Sequence, residues 1–256
     1  MSIVSISLQS GSNGNCIYVE TEGVRLLFDA GICGTQAKRR LESHGRDIRE
    51  VDAVIISHDH GDHIRYAGVY ERKYGLPIYV TRRTLDAALS KHRLGPLKNI
   101  KHFCAGGVLQ FGNVAVHTIP TKHDGADGAA FVIASGKKRL GILTDLGHVC
   151  SDLEMITASL DAVFIESNYD QKMLINGPYP AFLKKRIQGP GGHLSNIEAA
   201  ELLSAYGHRL QWACLAHLSE QNNDPGLALN THRSIVNPEL TLYAASRHQA
   251  TGIFDV

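Results

Sequence analysis

The chain has 256 residues, 43% of them hydrophobic, and can bury about three quarters of its unfolded surface as one large domain spanning 1–256 or as two intimate halves. Twenty-six Lys and Arg against 25 Asp and Glu leave a net charge of +1, which excludes a global field for nucleic acid, so an anionic partner must be held by a local patch. Five scattered cysteines (Cys16, Cys33, Cys104, Cys150, Cys214) form no close pair, which excludes a disulfide frame or zinc finger and points to reduced thiols and a cytoplasmic location.

Met1 to Leu8 alternates polar and apolar residues, the pattern of a strand and not of a signal peptide, and no apolar run approaches a membrane span. The loop Ser10 to Asn15 follows, with Ser12 and Asn15 as candidate anion contacts or as parts of an ordinary turn. Cys16–Glu20 and Val24–Asp29 are predicted to pair across Thr21-Glu22-Gly23. Asp29 either orients a histidine or caps the turn at Ala30-Gly31. A helix is predicted from Thr35 to His44, then a buried strand from Ala53 to Ile56.

That strand delivers the strongest chemical signal in the chain, Ser57-His58-Asp59-His60-Gly61-Asp62-His63. In extended backbone, His58 and His60 point to one side and can grip one cation. A turn into helix after Gly61 swings Asp62 and His63 towards a second cation, while Asp59 points away. Helical spacing continues from Ile64 to Tyr74, a short strand covers Ile78–Val80, and Thr81 or Thr84 caps a helix reaching about His92.

The second half repeats the rhythm. Val108–Phe111 pairs with Val114–Ile119 across Gly112-Asn113, and Ala129–Ala134 with Arg139–Leu143 across Gly136. Polar residues stand at strand ends again: His123 and Asp124, then Thr144-Asp145-Leu146-Gly147, then Glu166-Ser167-Asn168 after Ala162–Ile165. From Gln171 to Gly192, Tyr179 is interleaved with Lys184, Lys185 and Arg186, either a solvated helix face or a phosphate clamp. His193 follows, then a helix capped by Ser195 or Asn196, the strand Trp212–Ala216 ending in His217, a helix from Asp224 to Val236, and a last strand at Leu240–Ala244.

His58-x-His60-x-Asp62-His63, the lone His123, Asp145 in Thr-Asp-x-Gly and the late His217 resemble the metallo-β-lactamase superfamily. The resemblance implies a four-layer αββα sandwich made of two similar halves. Asp145 stands where true lactamases usually carry Cys, which argues against antibiotic hydrolysis. Too little chain separates Asp145 from His217 for the inserted domain of β-CASP nucleases, and the arm of transfer-RNA 3′-processing enzymes is not found. Within the superfamily, Gly11-Ser12-x-Gly14-Asn15-Cys16, Glu166-Ser167-Asn168-Tyr169-Asp170, the Tyr179–Arg186 block, Gly192-His193-Leu194-Ser195-Asn196 and His217-Leu218-Ser219 resemble the bacterial YycJ/WalJ group.

That resemblance implies a metal-dependent phosphodiesterase acting on duplex DNA from the 5′ end. Two divalent cations, Zn²⁺ or Mn²⁺, would lie about 3.5 to 4 Å apart and share a bridging hydroxide as nucleophile. His58, His60 and His123 are assigned to one, Asp62, His63 and His217 to the other, with Asp145 bridging. Asp62 can also orient the nucleophile, and His193 is assigned to protonate the leaving oxygen or bond the phosphate, its plainer role being a helix cap. Glu166 supports His193 or a ligand, or merely ends its strand. Tyr179 is expected to stack on a terminal base, with Lys184 and Arg186 on the phosphates. The remaining histidines, His92 and His148 among them, are expected to be ordinary polar residues. The alternatives are a small-molecule cyclic phosphodiesterase, a thiolester hydrolase, and a non-catalytic metal-binding regulatory protein.

Overall fold

The computed structural model describes residues 2–256, so of the alternating N-terminal stretch only Met1 lies outside it. The chain builds β1 (Val4–Gln9), β2 (Cys16–Thr21), β3 (Val24–Phe28), β4 (Ala53–Ile55), β5 (Ile78–Thr81) and β6 (Ile100–Phe103) into one sheet. A second sheet takes β7 (Val108–Phe111), β8 (Val114–Pro120), β9 (Ala129–Ser135), β10 (Lys138–Leu143), β11 (Ala162–Glu166), β12 (Trp212–Ala216) and β13 (Thr241–Ala244). The terminal β14 (Phe254–Asp255) returns to the first sheet and pairs with β1.

The two sheets have matching order, β14-β1-β2-β3-β4-β5-β6 and β13-β12-β11-β10-β9-β8-β7. In the first, β1, β2 and β3 are antiparallel and β3 to β6 parallel. The second repeats this, with β7 to β10 antiparallel and β10 to β13 parallel. Alternation along β2 shows why the sheets stack: Ile17 and Val19 face the core between the sheets, while Cys16 and Tyr18 face the helix side. Helices α1 (Gly34–Glu42), α2 (Gly61–Ile64), α3 (Ala67–Tyr74) and α4 (Arg82–Lys91) follow the strands of the first half. Helices α5 (Ser151–Ser159), α6 (Gln171–Asn176), α7 (Ala181–Ile187), α8 (Asn196–Tyr206) and α9 (Pro225–Arg233) follow those of the second.

Three large apolar clusters separate four layers. One packs α1, α3 and α4 on the first sheet through Leu41, Tyr70 and Leu85. A second joins the sheets around Phe28, Phe131 and Phe164. A third packs α5, α8 and α9 on the second sheet through Leu153, Leu203 and Ala228. The αββα sandwich expected from the resemblance is therefore the observed architecture.

Three local expectations change. The helix expected over Ile64–Tyr74 breaks into α2 and α3, because Tyr66 N–H donates 3.0 Å to the Ala30 carbonyl and ties the turn to the loop after β3. Strand β6 carries only one buried side chain, Phe103, so its edge position leaves no apolar pattern to read. Thr241–Ala244 is not the last strand: β14 adds to the sheet edge, where its Asp255 carbonyl accepts from Trp212 Nε1 at 2.9 Å. No helix among the described residues is long and apolar enough to cross a membrane.

Candidate metal centre

The polar residues gather where strands of both sheets end. Asp29 follows β3, the Ser57–His63 run follows β4, His123 follows β8, Asp145 follows β10, Glu166 ends β11 and His217 follows β12. Asp29, Asp145 and His217 hold left-handed backbone, with φ of 67°, 55° and 55°. Non-glycine residues adopt this region at a cost, and such outliers concentrate at functional sites. Each one turns the chain sharply at the strand end, so that its side chain meets the others. Gly31 makes a close approach possible: a Cβ there would stand 1.7 Å from the Asp62 carbonyl oxygen and 2.5 Å from Asn15 N.

Donor atoms of His58, His60 and His123 lie within 4.8 Å of one another, and so do those of Asp62, His63 and His217. Asp145 stands between the two sets, with Oδ1 3.6 Å from His123 Nε2 and Oδ2 3.3 Å from His63 Nε2. The structure thus brings together all seven residues that the sequence pattern and the resemblance assign to metal.

Most of these imidazoles are held from behind at Nδ1, leaving Nε2 towards the cluster. His63 Nδ1 donates to Asp29 Oδ2 at 2.7 Å, which gives Asp29 the orienting role and not merely that of a turn cap. His123 Nδ1 donates to the Gly192 carbonyl at 2.8 Å, His217 Nδ1 to Glu166 Oε1 at 3.1 Å, and His58 Nδ1 meets Ser57 Oγ at 3.0 Å. Two buried atoms of the cluster, His58 Nε2 and Asp145 Oδ2, have no hydrogen-bond partner. Buried polar atoms of this kind need an explanation, and a cation bound among nitrogen and oxygen donors supplies one, so the residues fit a divalent metal.

The electrostatics agree. Burial, reinforced by His63, His60 and His123, pushes the His58 imidazole well below its usual range, so it stays neutral with a free lone pair. Burial opposes charge on His217, but Asp145, Asp62 and Glu166 outweigh it and raise the imidazole to about 10. His63 is raised well above its usual range against the same burial, by Asp145, Asp29 and Asp62. Four carboxylates, Asp29, Asp62, Asp145 and Glu166, thus hold two imidazoles charged, and cation binding at such a centre releases those protons.

Glu166, fully buried, does more than end its strand. Its Oε1 accepts from His193 Nδ1 at 2.7 Å as well as from His217, while Oε2 accepts from Leu146 N and Leu194 N at 3.2 Å each. This fixes the His193 tautomer and turns Nε2 away from Glu166. His193 is not the helix cap, since Ser195 caps α8 with a reciprocal bond to Glu198.

A cavity of about 390 Å³ opens beside the cluster, bounded by Ser12, Asp62, Tyr179, Arg186, His193 and His217 among others. The other candidate contacts lie elsewhere. Asn15 is buried, with Oδ1 accepting from Gly11 N at 2.9 Å and Nδ2 3.0 Å from His63 Nε2, so its place is bracing the loop against the cluster. Lys184 donates to the Ile175 carbonyl at 2.6 Å and lies outside this cavity. Arg186 grips Asp124 with two bonds, and Asp124 Oδ1 is 3.4 Å from His60 Nε2.

Several residues of the cavity wall were not singled out from sequence. Lys91 and His92, at the end of α4, line it; Lys91 pairs with the buried Asp59, and His92 Nε2 is 3.0 Å from the Asp59 carbonyl. His92 is thus not an ordinary surface histidine, and no local signal marked it. Asn168 and Ser219 also line the cavity, and their adjacency to Glu166 and His217 was the available hint.

An αββα sandwich carrying a cluster of imidazoles and carboxylates at its strand ends defines a metallohydrolase scaffold. The chain belongs to the metallo-β-lactamase superfamily: a sequence profile described as "Beta-lactamase superfamily domain" matches residues 24–217. It is 36% identical over 233 residues to the exodeoxyribonuclease WalJ of Streptococcus pneumoniae, covering 90% of this chain and 86% of that protein. It is 34% identical over 224 residues to the exodeoxyribonuclease YycJ of Bacillus anthracis, covering 86% and 84%. Among solved structures, the metallo-β-lactamase fold protein YhfI of Bacillus subtilis matches with a TM-score of 0.76 over 100% of this chain and 99% of that one, at 16% identity.

Proposed function

We propose that residues 1–256 form a single hydrolase domain, a binuclear-metal phosphodiesterase that removes nucleotides from the 5′ end of DNA, duplex DNA favoured. The observation that carries this reading is the joining of an all-nitrogen-and-oxygen donor cluster to a cavity that also holds His193, braced on Glu166. Similarity to two exodeoxyribonucleases over most of the chain supports DNA as the substrate class.

His58, His60 and His123 would hold one cation, Asp62, His63 and His217 a second, with Asp145 shared. Zn²⁺ and Mn²⁺ both suit these donors. Divalent cations bound there supply charge neutralisation of the phosphate and a lowered proton affinity for coordinated water.

The chain's own groups do the rest. Asp62, whose Oδ2 is 3.5 Å from His217 Nε2, is assigned to orient the attacking water by accepting its hydrogen bond. His193 keeps Nδ1 bonded to Glu166, which holds the ring and leaves Nε2 free to carry a proton to the leaving oxygen. Tyr179 would offer a ring to the base, and Arg186 and Ser12, which line the cavity, are assigned to phosphate oxygens.

The test is incubation of the metal-loaded protein with end-labelled single- and double-stranded DNA and RNA. The expected result is release of mononucleotides from the 5′ label of duplex DNA. Turnover of a cyclic phosphate without release from any polymer would refute the nuclease reading. Arg186→Ala is expected to weaken DNA binding and flatten its salt dependence; unchanged binding would remove Arg186 from the phosphate site.

A further inference from the structure

Helix α7 is a partition. Leu183, Arg186 and Ile187 face the metal cavity, and Ala181, Phe182, Lys185 and Gln188 face a second groove of about 830 Å³ on its other side. Arg186 belongs to both walls, so the two spaces adjoin along this helix. The partition is anchored from within: Ile187 packs with Tyr169 and Leu174, and Tyr179 and Leu183 cover that cluster.

Phe182 is 76% exposed, the largest value among the large hydrophobic residues described. A lone exposed apolar side chain needs no explanation in itself. Its setting is the informative part. Lys185, exposed and one helical turn away, stands on the same face, and Lys184 lines the same groove, while Arg186 is paired there with Asp124, which also lines it. An aromatic ring among bases is the combination that binds a single nucleic-acid strand, stacking on a base while cations meet the phosphates.

Position completes the argument: the metal cavity and the groove adjoin along α7, so strands seated in the two would be kept apart by the helix. Resting on the duplex-exonuclease reading above, we infer that α7 parts the duplex. The 5′ strand enters the metal cavity past Tyr179, and the complementary strand turns into the groove, where Phe182 stacks on its terminal base and Lys185 faces its phosphates. Unpairing is opposed by lost stacking, and an aromatic platform on each side of the partition offsets that loss.

The experiment compares the full-length protein with Phe182→Ala on three DNAs: a blunt duplex, a duplex whose terminal pairs are mismatched into a fork, and a single strand. The expected outcome is release slowed about tenfold on the blunt duplex, with the fork and the single strand degraded at wild-type rates, and with activity restored by Phe182→Trp. An equal loss on all three DNAs, or no loss on the blunt duplex, would overturn the partition. A second readout does not depend on turnover: 5-iodouracil at the 3′ end of the complementary strand, opposite a phosphorothioate 5′ strand, is expected to photocrosslink to Phe182. Crosslinking only elsewhere would also overturn it. Failure of the nuclease reading looks different, since wild-type protein would then release nothing from any of the three.

Discussion

Replacing Glu166 by Gln tests whether His193 acts through its carboxylate. Glu166 is fully buried and its two oxygens accept from four N–H groups, two imidazole and two backbone. Glutamine is nearly isosteric but has one acceptor oxygen and an NH₂ group, so it cannot serve both pairs. If its oxygen stays with Leu146 and Leu194, its NH₂ meets two Nδ1–H groups. Both rings must then change tautomer, and His193 loses the hydrogen bond that holds its ring in place. One pair of bonds lost to a buried carboxylate costs about 2 kcal/mol of folding stability. Loss of the proton donor lowers kcat about 10²-fold with KM little changed. Metal affinity falls about 10-fold or more through His217. The assays are steady-state kinetics on labelled duplex at saturating metal, chelator competition for affinity, and urea unfolding. His193→Ala should lower kcat similarly while leaving metal affinity intact. A Glu166→Gln protein with wild-type kcat at saturating metal would refute the reasoning.

Asp29→Asn keeps a residue tolerant of the left-handed φ of 67° but removes the charge behind His63, so metal affinity should fall about 10-fold to 100-fold by chelator competition, and unchanged affinity would count against the orienting role. Gly31→Ala places a methyl 1.7 Å from the Asp62 carbonyl and should cost about 3 kcal/mol or more in denaturant unfolding; a wild-type midpoint would contradict it. His232 is fully buried on α9, with Nδ1 donating to the Ala228 carbonyl at 2.9 Å, and burial pushes it down from 6.5 to about 4. The unfolded chain therefore takes up this proton first, and stability present above pH 6.5 is lost as pH falls towards 4. The loss amounts to about 3 kcal/mol. Urea unfolding of His232→Leu should show an acid limb shallower by that amount, and parallel limbs would refute the assignment.

Much of the site was legible because its ligands obey local geometry. His58 and His60 are two residues apart just after an apolar strand, and in extended backbone that spacing points both to one side. Asp145, Glu166 and His217 each follow an apolar run at a strand end, where a polar side chain has no core to enter. Alternation marked most strands, and it failed at β6 and β14, edge elements whose pairing rests on backbone bonds and not on a buried face.

The amino-acid sequence by itself determined the strand and helix rhythm, the donor types and the Ser57–His63 run that names the chemistry. Only the tertiary structure decided what each remaining residue does, because those roles depend on contacts between distant segments. Ser10 Oγ accepts from His217 N at 2.8 Å across 207 residues, and Asn15 N–H donates to the Asp62 carbonyl at 2.8 Å, which makes the first loop a brace between the two halves. Lys91 and His92 reach the cavity wall because their helix packs beside the Asp59 turn. Tyr179 and Phe182 are three residues apart in the chain, yet Tyr179, just before α7, lines the metal cavity while Phe182, on α7, lines the groove behind it.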